Sequence, residues 1–210
     1  RSLCFLILAL LLAILSVHGG DLPPGTDRMA RSKARIRKQS PYRCEECGKE
    51  VAGHESVSLS SSGGEARLLC WRCFNTETAE AMGLVGFRHV DFEPVRLTGS
   101  RGRQHEFHIR TRLMGPGVVL DAYELRSGAP AGYEFHMMGE AEEDLFTMLG
   151  RLVEKIKRAL AVKHVKRGRM GLEVVGQVVR GRIEWDDAEE GRVPMMVVDG
   201  KGVSWEEFGR

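Results

Sequence analysis

The sequence predicts an α+β protein in which a small cysteine-stapled module precedes an antiparallel sheet with one covering helix. Three observations support this fold class. Two Cys-x2-Cys pairs stand close together in the first half of the chain, and polar and apolar residues alternate through residues 106–113, within a series of short strand-like segments separated by turns. Apolar residues then recur every three or four positions through residues 145–160, as they do in an amphipathic helix. A C-terminal β-hairpin and the start of a helix complete the predicted order.

The two cysteine pairs predict a metal site. A tight two-residue turn can aim both sulfurs of a pair at one ion, and two pairs complete the tetrahedral set of thiolates that Zn²⁺ accepts. The predicted ligands of a structural Zn²⁺ are Cys44, Cys47, Cys70 and Cys73. His54 is an alternative ligand. Gly48 directly follows the second cysteine and suits the positive φ that such a turn needs.

Residues 42–86 are therefore predicted to form a treble-clef-like or zinc-ribbon-like module. Its predicted order is a cysteine knuckle, a hairpin, a second knuckle and a helix. The hairpin arms are placed at residues 57–59 and 66–69, and the helix follows Cys73 and stops at Gly83. A segment this short cannot bury a sufficient core, so the metal would supply much of its stability.

Residues 87–165 are predicted to form a β-meander covered by a helix, a β4α arrangement. The four strands are placed at residues 90–97, with a bend at Pro94, and at residues 105–113, 118–125 and 133–137. The helix is placed from the acidic run at residues 140–144 onward, because acidic side chains favour a helix N-terminus. Its apolar side is expected to cover the apolar face of the sheet.

The last part of the chain, residues 166–210, is predicted to hold a hairpin and a truncated helix. Residues 166–171 are expected to be a basic linker. The two hairpin strands are placed at residues 174–185 and 193–198. Ser204 and Glu207 have the spacing of a capping box, in which the serine begins a helix and the glutamate returns a hydrogen bond. We expect this helix to continue beyond Arg210.

Residues 1–28 form an apolar leader followed by a linker. The apolar run at residues 3–17 has the length of a signal peptide and is short for a membrane-spanning helix. Export to an oxidising compartment would favour disulfides over a zinc tetrathiolate. The sequence therefore favours a cytoplasmic protein that begins near Met29, with residues 1–28 as a gene-model extension. The alternative is a membrane-anchored or exported protein that uses residues 3–17.

Two groups of charged residues are candidate binding surfaces. The first is a basic arm, residues 29–41, which carries no acidic residue and can neutralise phosphates or remain a solvated tail. The second is the polar face of the strand at residues 105–113, whose side chains can bind a partner or pair across the sheet. The candidate residues are Arg31, Lys33, Arg35, Arg37 and Lys38 in the arm and Glu106, His108, Arg110 and Arg112 on the strand.

These features favour a non-enzymatic, zinc-stapled binding module that contacts a protein or a nucleic acid, with a regulatory role. The formal net charge of +2 indicates no polyanion partner for the chain as a whole. One alternative is an enzyme that uses Glu106 and His108, although no nucleophile, phosphate loop or paired-carboxylate motif accompanies them. The other is an envelope protein anchored or exported through residues 3–17. The sequence identifies no catalytic residue and no small-molecule site.

Five segments of the chain carry a family resemblance. They are Arg43-Cys44-Glu45-Glu46-Cys47-Gly48, Leu69-Cys70-Trp71-Arg72-Cys73-Phe74-Asn75, His89-Val90-Asp91-Phe92-Glu93-Pro94, His105-Glu106-Phe107-His108-Ile109-Arg110-Thr111-Arg112-Leu113 and Gly181-Arg182-Ile183-Glu184-Trp185-Asp186. Together they resemble an uncharacterised bacterial family whose members carry the same four cysteines and have no assigned activity. The resemblance runs from about Met29 to the end of the chain. It implies a fold and a metal, and no function.

The cysteine module by itself carries a second resemblance. A Cys-x2-Cys-Gly knuckle is followed by a second Cys-x2-Cys that opens a helix, and this order is similar to the zinc finger of DksA/TraR-type transcription factors. No long coiled-coil hairpin with an acidic tip precedes the module. The resemblance therefore does not extend to the action of those factors in the polymerase channel.

Overall fold

A computed structural model of the chain describes residues 41–60, 66–115, 117–169, 171–186 and 189–208. Within these ranges the fold is α+β, and the paired strands are antiparallel. The predicted fold class is thereby confirmed, including a four-cysteine cluster toward the N-terminal side and a C-terminal hairpin that leads into a helix.

Two hairpins and a helix make up the N-terminal module. The first hairpin pairs β1 (Tyr42–Arg43) with β2 (Glu50–Val51), and the second pairs β3 (Ser56–Leu59) with β4 (Arg67–Cys70). Helix α1 (Trp71–Ala81) follows β4 without a loop. The predicted helix start after the last cysteine is wrong by three residues. The second cysteine pair spans the start of the helix, so that its two sulfurs leave the first turn on one side.

The central sheet has four strands in the order of the chain, as the meander prediction requires. Its strands are β5 (Val95–Thr98), β6 (Gln104–Met114), β7 (Gly117–Arg126) and β8 (Ala129–Glu140). The first strand begins five residues later than predicted. Residues 90–94 do not pair as a strand, and the Val90 carbonyl accepts a hydrogen bond from Thr111 Oγ1 at 3.1 Å instead. This segment therefore packs beside β6 without extending β5.

Helix α2 (Leu145–Ala161) covers one face of this sheet, as predicted. Its buried side chains recur at helical spacing and pack on the apolar residues of the sheet. They are Leu145, Met148, Leu152, Ile156 and Leu160. The predicted helix start in the acidic run is wrong, because β8 continues to Glu140 and the helix begins after Asp144. Asp144 is the N-cap, and its carboxylate accepts the Thr147 N–H at 2.7 Å.

The C-terminal part contains more strands than the predicted hairpin. A hairpin pairs β9 (Val165–Gly168) with β10 (Gly171–Val174), where the sequence predicted a linker. A three-stranded sheet follows, with the order β11 (Gly181–Trp185), β12 (Pro194–Val198) and β13 (Lys201–Ser204). One long strand was predicted over residues 174–185, but residues 175–180 lie outside the strands, and most of their side chains are exposed.

Two local signals explain the end of the described chain. Asp199 and Gly200 have positive φ values of 50° and 67°, so they form the tight turn that pairs β12 with β13. The capping box is confirmed: Ser204 Oγ accepts the Glu207 N–H at 3.1 Å, and Glu207 Oε2 accepts the Ser204 N–H at 3.3 Å. Helix α3 (Trp205–Phe208) starts there. Among the described residues, no helix combines the length and apolarity needed to cross a membrane.

Candidate functional site

The four predicted ligand cysteines meet between the first hairpin, β4 and helix α1. Their sulfur atoms all lie within 4.8 Å of one another, and the Sγ atoms of Cys47 and Cys70 are 3.9 Å apart. These distances exclude disulfides between them. A tetrahedral Zn²⁺ with Zn–S bonds of about 2.3 Å would separate its sulfurs by about 3.8 Å. The donor set therefore fits that ion. His54 is not part of the cluster, because its ring packs edge-on against Tyr123.

The protonation of the thiols shows why this cluster favours a cation. Burial raises the pKa of Cys70 and of Cys73, and hydrogen bonds with the neighbouring thiols raise the pKa of Cys73 further. Burial acts in the same direction on Cys44, but backbone hydrogen bonds outweigh it and lower the pKa of Cys44 to about 6. Four thiolates are thus not stable together without a positive ion. A bound divalent cation would remove this penalty.

Backbone contacts hold the first knuckle in shape. Gly48 has a φ of 72°, as its position predicted, and its N–H donates to the Cys44 carbonyl at 2.9 Å. Glu45 ties the knuckle to β4 by a pair of hydrogen bonds. Its N–H donates to the Leu68 carbonyl at 2.9 Å, and its Oε1 accepts the Leu68 N–H at 2.7 Å. The two cysteine pairs are therefore joined by the protein itself as well as by any shared ion.

The cysteine module covers part of the polar face of β6. Asp121, on the neighbouring strand β7, is fully buried there. Its carboxylate accepts hydrogen bonds from Arg110 at 3.0 Å, Arg112 at 2.9 Å and His136 at 2.7 Å. Burial alone would raise the pKa of Asp121, but these hydrogen bonds and the two arginine charges outweigh it and lower the pKa. The sequence left open whether the charged side chains of this strand pair across the sheet. Both Arg110 and Arg112 do so, with Asp121 on the neighbouring strand.

Arg110 is the main link between this face and the module. Its Nη1 donates to the His54 carbonyl at 2.7 Å, and its guanidinium lies 5.3 Å from the centre of the Trp71 ring. On the sheet side the same guanidinium lies 5.2 Å from the Tyr123 ring, whose hydroxyl donates to the Glu55 carboxylate. Burial raises the pKa of Tyr123, and the hydrogen bond with the Glu55 carboxylate raises it further. Arg110 is thus held from both sides by groups of this chain.

The remaining residues of the predicted binding surface keep more contact with solvent. Glu106 pairs with Arg96 across β5 at 2.6 Å, and this contact lowers the pKa of Glu106. His108 stacks on Tyr123 with ring centres 6.0 Å apart and exposes 33% of its side chain. A partner surface or a catalytic role on Glu106 and His108 stays a prediction. The five basic-arm candidates lie outside the described residues, and their role also stays a prediction.

A buried amide that the sequence analysis did not single out joins helix α1 to the edge of β6. Asn75 is fully buried. Its Nδ2 donates to the Thr111 carbonyl at 2.8 Å, and its Oδ1 accepts the Leu113 N–H at 2.9 Å. These two backbone groups lie beyond the part of β6 that pairs with β5. An asparagine in the middle of a helix is a signal that could have revealed this role, because asparagine is a poor helix former.

The amide of Asn75 also begins a chain of polar contacts that leads back toward the cysteines. Its Nδ2 lies 2.8 Å from His89 Nδ1, and His89 Nε2 lies 2.8 Å from Asp91 Oδ1. Asp91 in turn pairs with Arg72, which stands between two ligand cysteines in the sequence. Burial is the largest influence on His89 and lowers its pKa. This series of polar contacts therefore connects the region of the cysteine cluster to the sheet through neutral and charged hydrogen bonds.

A separate cleft, which the sequence did not reveal, opens between β8, helix α2 and the C-terminal strands. Its volume is about 910 Å³. Several basic residues line this cleft. Those of helix α2 and the residues after it are Lys155, Arg158, Lys163 and His164. Their cluster was visible in the sequence, but the C-terminal strands that close the cleft opposite them were not predicted in full.

Three consecutive parts of the chain match models of domains of unknown function. Residues 43–85 match the domain of unknown function DUF7685, residues 88–161 match DUF7686, and residues 164–210 match DUF7713. The chain therefore contains three such domains, and the first of them holds the cysteine cluster. No curated protein and no solved structure matches the chain. The likeness of the module to DksA/TraR-type zinc fingers and a bacterial origin stay predictions.

Proposed function

We propose that this chain is a non-enzymatic binding protein in which a structural Zn²⁺ on Cys44, Cys47, Cys70 and Cys73 holds the N-terminal module against the central sheet. The observation that carries this proposal is the convergence of four sulfurs within 4.8 Å. Four cysteines fill a tetrahedral site and leave no position for substrate or water. The metal therefore stabilises the module and takes no part in a reaction.

The contacts beyond the sulfurs support a structural role for the ion. Helix α1 starts at the cluster and places Asn75 on the edge of β6, while Trp71, at its first position, lies against Arg110. Anything that fixes the start of this helix also fixes its contacts with the sheet. The polar groups on the covered face are paired with one another, which favours a scaffold over a catalytic surface.

Metal content is the first test of this proposal. A chain that begins at Met29 contains only the four cluster cysteines. Purified under reducing conditions, it should hold about one zinc per chain by elemental analysis, and its four thiols should react with a thiol reagent only after chelation. Two disulfides and no zinc would overturn the proposal.

Matched variants make the same test specific to the cluster. Cys70→Ser removes one buried ligand and should abolish stoichiometric zinc. Ser58→Ala, on the exposed side of the adjoining strand β3, should keep it. Equal zinc content in the two variants would place the metal elsewhere on the chain.

Contact with nucleic acid depends on the basic arm in this proposal, since Arg110 and Arg112 are already held in ion pairs with Asp121. A salt-dependent affinity for DNA or RNA should then disappear when the arm residues are replaced by glutamine. The replaced residues are Arg31, Lys33, Arg35, Arg37 and Lys38. An affinity that survives these changes would assign nucleic-acid contact to another surface.

A further inference from the structure

The cleft between β8, helix α2 and the C-terminal strands has the dimensions of a small-molecule site. Its volume of about 910 Å³ lies within the range of roughly 300–1,000 Å³ that is usual for such sites. Its floor is formed by side chains of β8, one wall by the last turns of helix α2, and the opposite wall by residues 175–182. Strand β8, the helix that directly follows it and a later segment of the chain thus line one concave surface.

Four basic side chains line this cleft without an ion-pair partner in the described part of the chain. They are Lys155, Arg158, Lys163 and Arg180. The first three contact only neutral groups: Lys155 donates to the His136 carbonyl at 2.7 Å, Arg158 to the Glu154 carbonyl at 3.2 Å, and Lys163 to the Tyr133 hydroxyl at 3.0 Å. A cleft with several uncompensated cations attracts anions, because its walls concentrate the field.

The lining also contains two carboxylates, which are fewer than its basic side chains, and neither forms an ion pair with these four cations. Glu134 lies 3.6 Å from Arg182 and 3.9 Å from His136. Asp199 accepts the backbone N–H groups of His164 and Val165 at 2.9 and 3.0 Å. The basic side chains outnumber the carboxylates of the lining, so an anionic ligand can contact these four cations without breaking an ion pair.

Apolar side chains occupy the rest of the lining. They include Phe135 on the floor and Val162, Val175, Val178 and Val197 around it. Val162, Val175 and Val178 expose about half or more of their surface, between 49% and 64%. Exposed apolar groups beside free cations favour a ligand that is anionic at one end and apolar along its body.

We propose that this cleft binds a phosphorylated small molecule whose body has an apolar or aromatic face, about the size of a nucleoside monophosphate. A phosphate dianion offers three terminal oxygens, which accept charge-assisted hydrogen bonds from guanidinium and ammonium groups such as those of this lining. The proposal deepens and rests on the binding role given above. It does not depend on the metal, since the cysteine cluster contributes no residue to this lining.

Isothermal titration of the zinc-loaded protein with adenosine monophosphate, adenosine and inorganic phosphate tests the proposal. Adenosine monophosphate should bind, adenosine should bind at least tenfold more weakly, and higher salt should weaken binding of the phosphate compounds. Arg158→Gln and Arg180→Gln, both at exposed positions, should each raise the Kd for adenosine monophosphate by about tenfold or more, as expected for loss of a charged hydrogen bond.

Arg167→Gln provides the matched control, because Arg167 is exposed on β9 and lies outside the cleft lining. It should leave the Kd unchanged. The proposal is overturned if neither adenosine monophosphate nor inorganic phosphate binds at millimolar concentration, or if adenosine binds as tightly as its phosphate. It is also overturned if the two cleft variants bind like the wild type, or if citrate displaces the phosphate compounds and binds more tightly. Zinc content, measured on the same samples, separates a failure here from a failure of the metal proposal.

Discussion

Asn75 pairs with the backbone of Leu113 in the way a neighbouring strand would. Its Oδ1 accepts the Leu113 N–H at 2.9 Å, while its Nδ2 donates to the carbonyl of Thr111, two residues earlier on the same strand. The edge of β6 is thereby closed by a helix side chain where β5 has ended. An unpaired edge attracts other chains, so this amide both docks helix α1 and protects the sheet.

Replacement of Asn75 by alanine should destabilise the protein by about 3 kcal/mol, because two buried backbone groups would lose their partners. Urea unfolding followed by circular dichroism measures this change. Thr76→Ala is the control, since Thr76 is exposed on the next position of the helix and contacts only the Arg72 carbonyl. If the two variants unfold at the same urea concentration, the amide does not stabilise the sheet edge.

Asp121 should control the loss of stability in acid. Its folded pKa is lowered, whereas the unfolded pKa is about 3.9. The stabilisation is therefore complete above the unfolded value and is lost as the pH falls through the folded value. Asp121→Asn should destabilise the protein by about 3 kcal/mol at pH 7, because two partly buried arginine charges lose the carboxylate with which they pair. It should also flatten the fall in stability between about pH 5 and pH 3.

Unfolding free energies at a series of pH values test this prediction. Glu106→Gln is the control, because Glu106 forms an exposed ion pair with Arg96 on the same sheet. This change should alter stability little at neutral pH. A variant at Asp121 that keeps the wild-type acid profile would show that the buried carboxylate is not the group that titrates.

His89 should remain neutral to a lower pH than an exposed histidine. Burial lowers its pKa and outweighs the Asp91 carboxylate, which raises it. The folded pKa thus lies below the unfolded value of about 6.5, and stability falls as the pH drops through that window. NMR titration of the ring should give a midpoint below about 6.5, and His89→Gln should identify the signal. A midpoint above that value would contradict the buried, hydrogen-bonded geometry.

Much of this fold was readable because its local signals act over short distances. Cysteine spacing, the glycine after the second cysteine and the capping box at Ser204 each depend on a few neighbouring residues, and the structure has the predicted geometry at Gly48 and Ser204. The extra C-terminal strands were missed although Asp199-Gly200 is a typical hairpin turn. That dipeptide directly follows the predicted strand at residues 193–198, and no strand was predicted after it.

The parts that were not predicted depend on contacts between distant segments. Asp121 was not predicted to be important, because its role depends on hydrogen bonds from three other side chains. These are Arg110, Arg112 and His136, which only the folded sheet brings together. His105 was not a candidate either, although it is 3% exposed and its ring hydrogen bonds to Glu124 at 2.7 Å. Strand periodicity predicts on which face of a sheet a side chain lies, but it does not predict which other part of the chain covers that face.

Removal of the metal should release the module while leaving the central sheet intact. Trp71 reports on this contact, because it lies against Arg110 and Phe74. The other two tryptophans, Trp185 and Trp205, are 67% and 50% exposed, so both can be replaced by phenylalanine. Chelation should then shift the Trp71 emission to longer wavelength, as the ring loses its contacts and meets water.

The sheet should keep its strand signal in circular dichroism during this release. The hydrophobic core of the sheet packs against helix α2, and none of the residues of this core is a cysteine. Readdition of zinc should reverse the shift, and Cys70→Ser should show the shifted emission without chelator. The structural role proposed for zinc predicts all three results, since zinc binding free energy becomes folding free energy in a module this small. Unchanged Trp71 emission after zinc is fully removed would mean that Asn75, Arg110 and Glu45 hold the module without the ion.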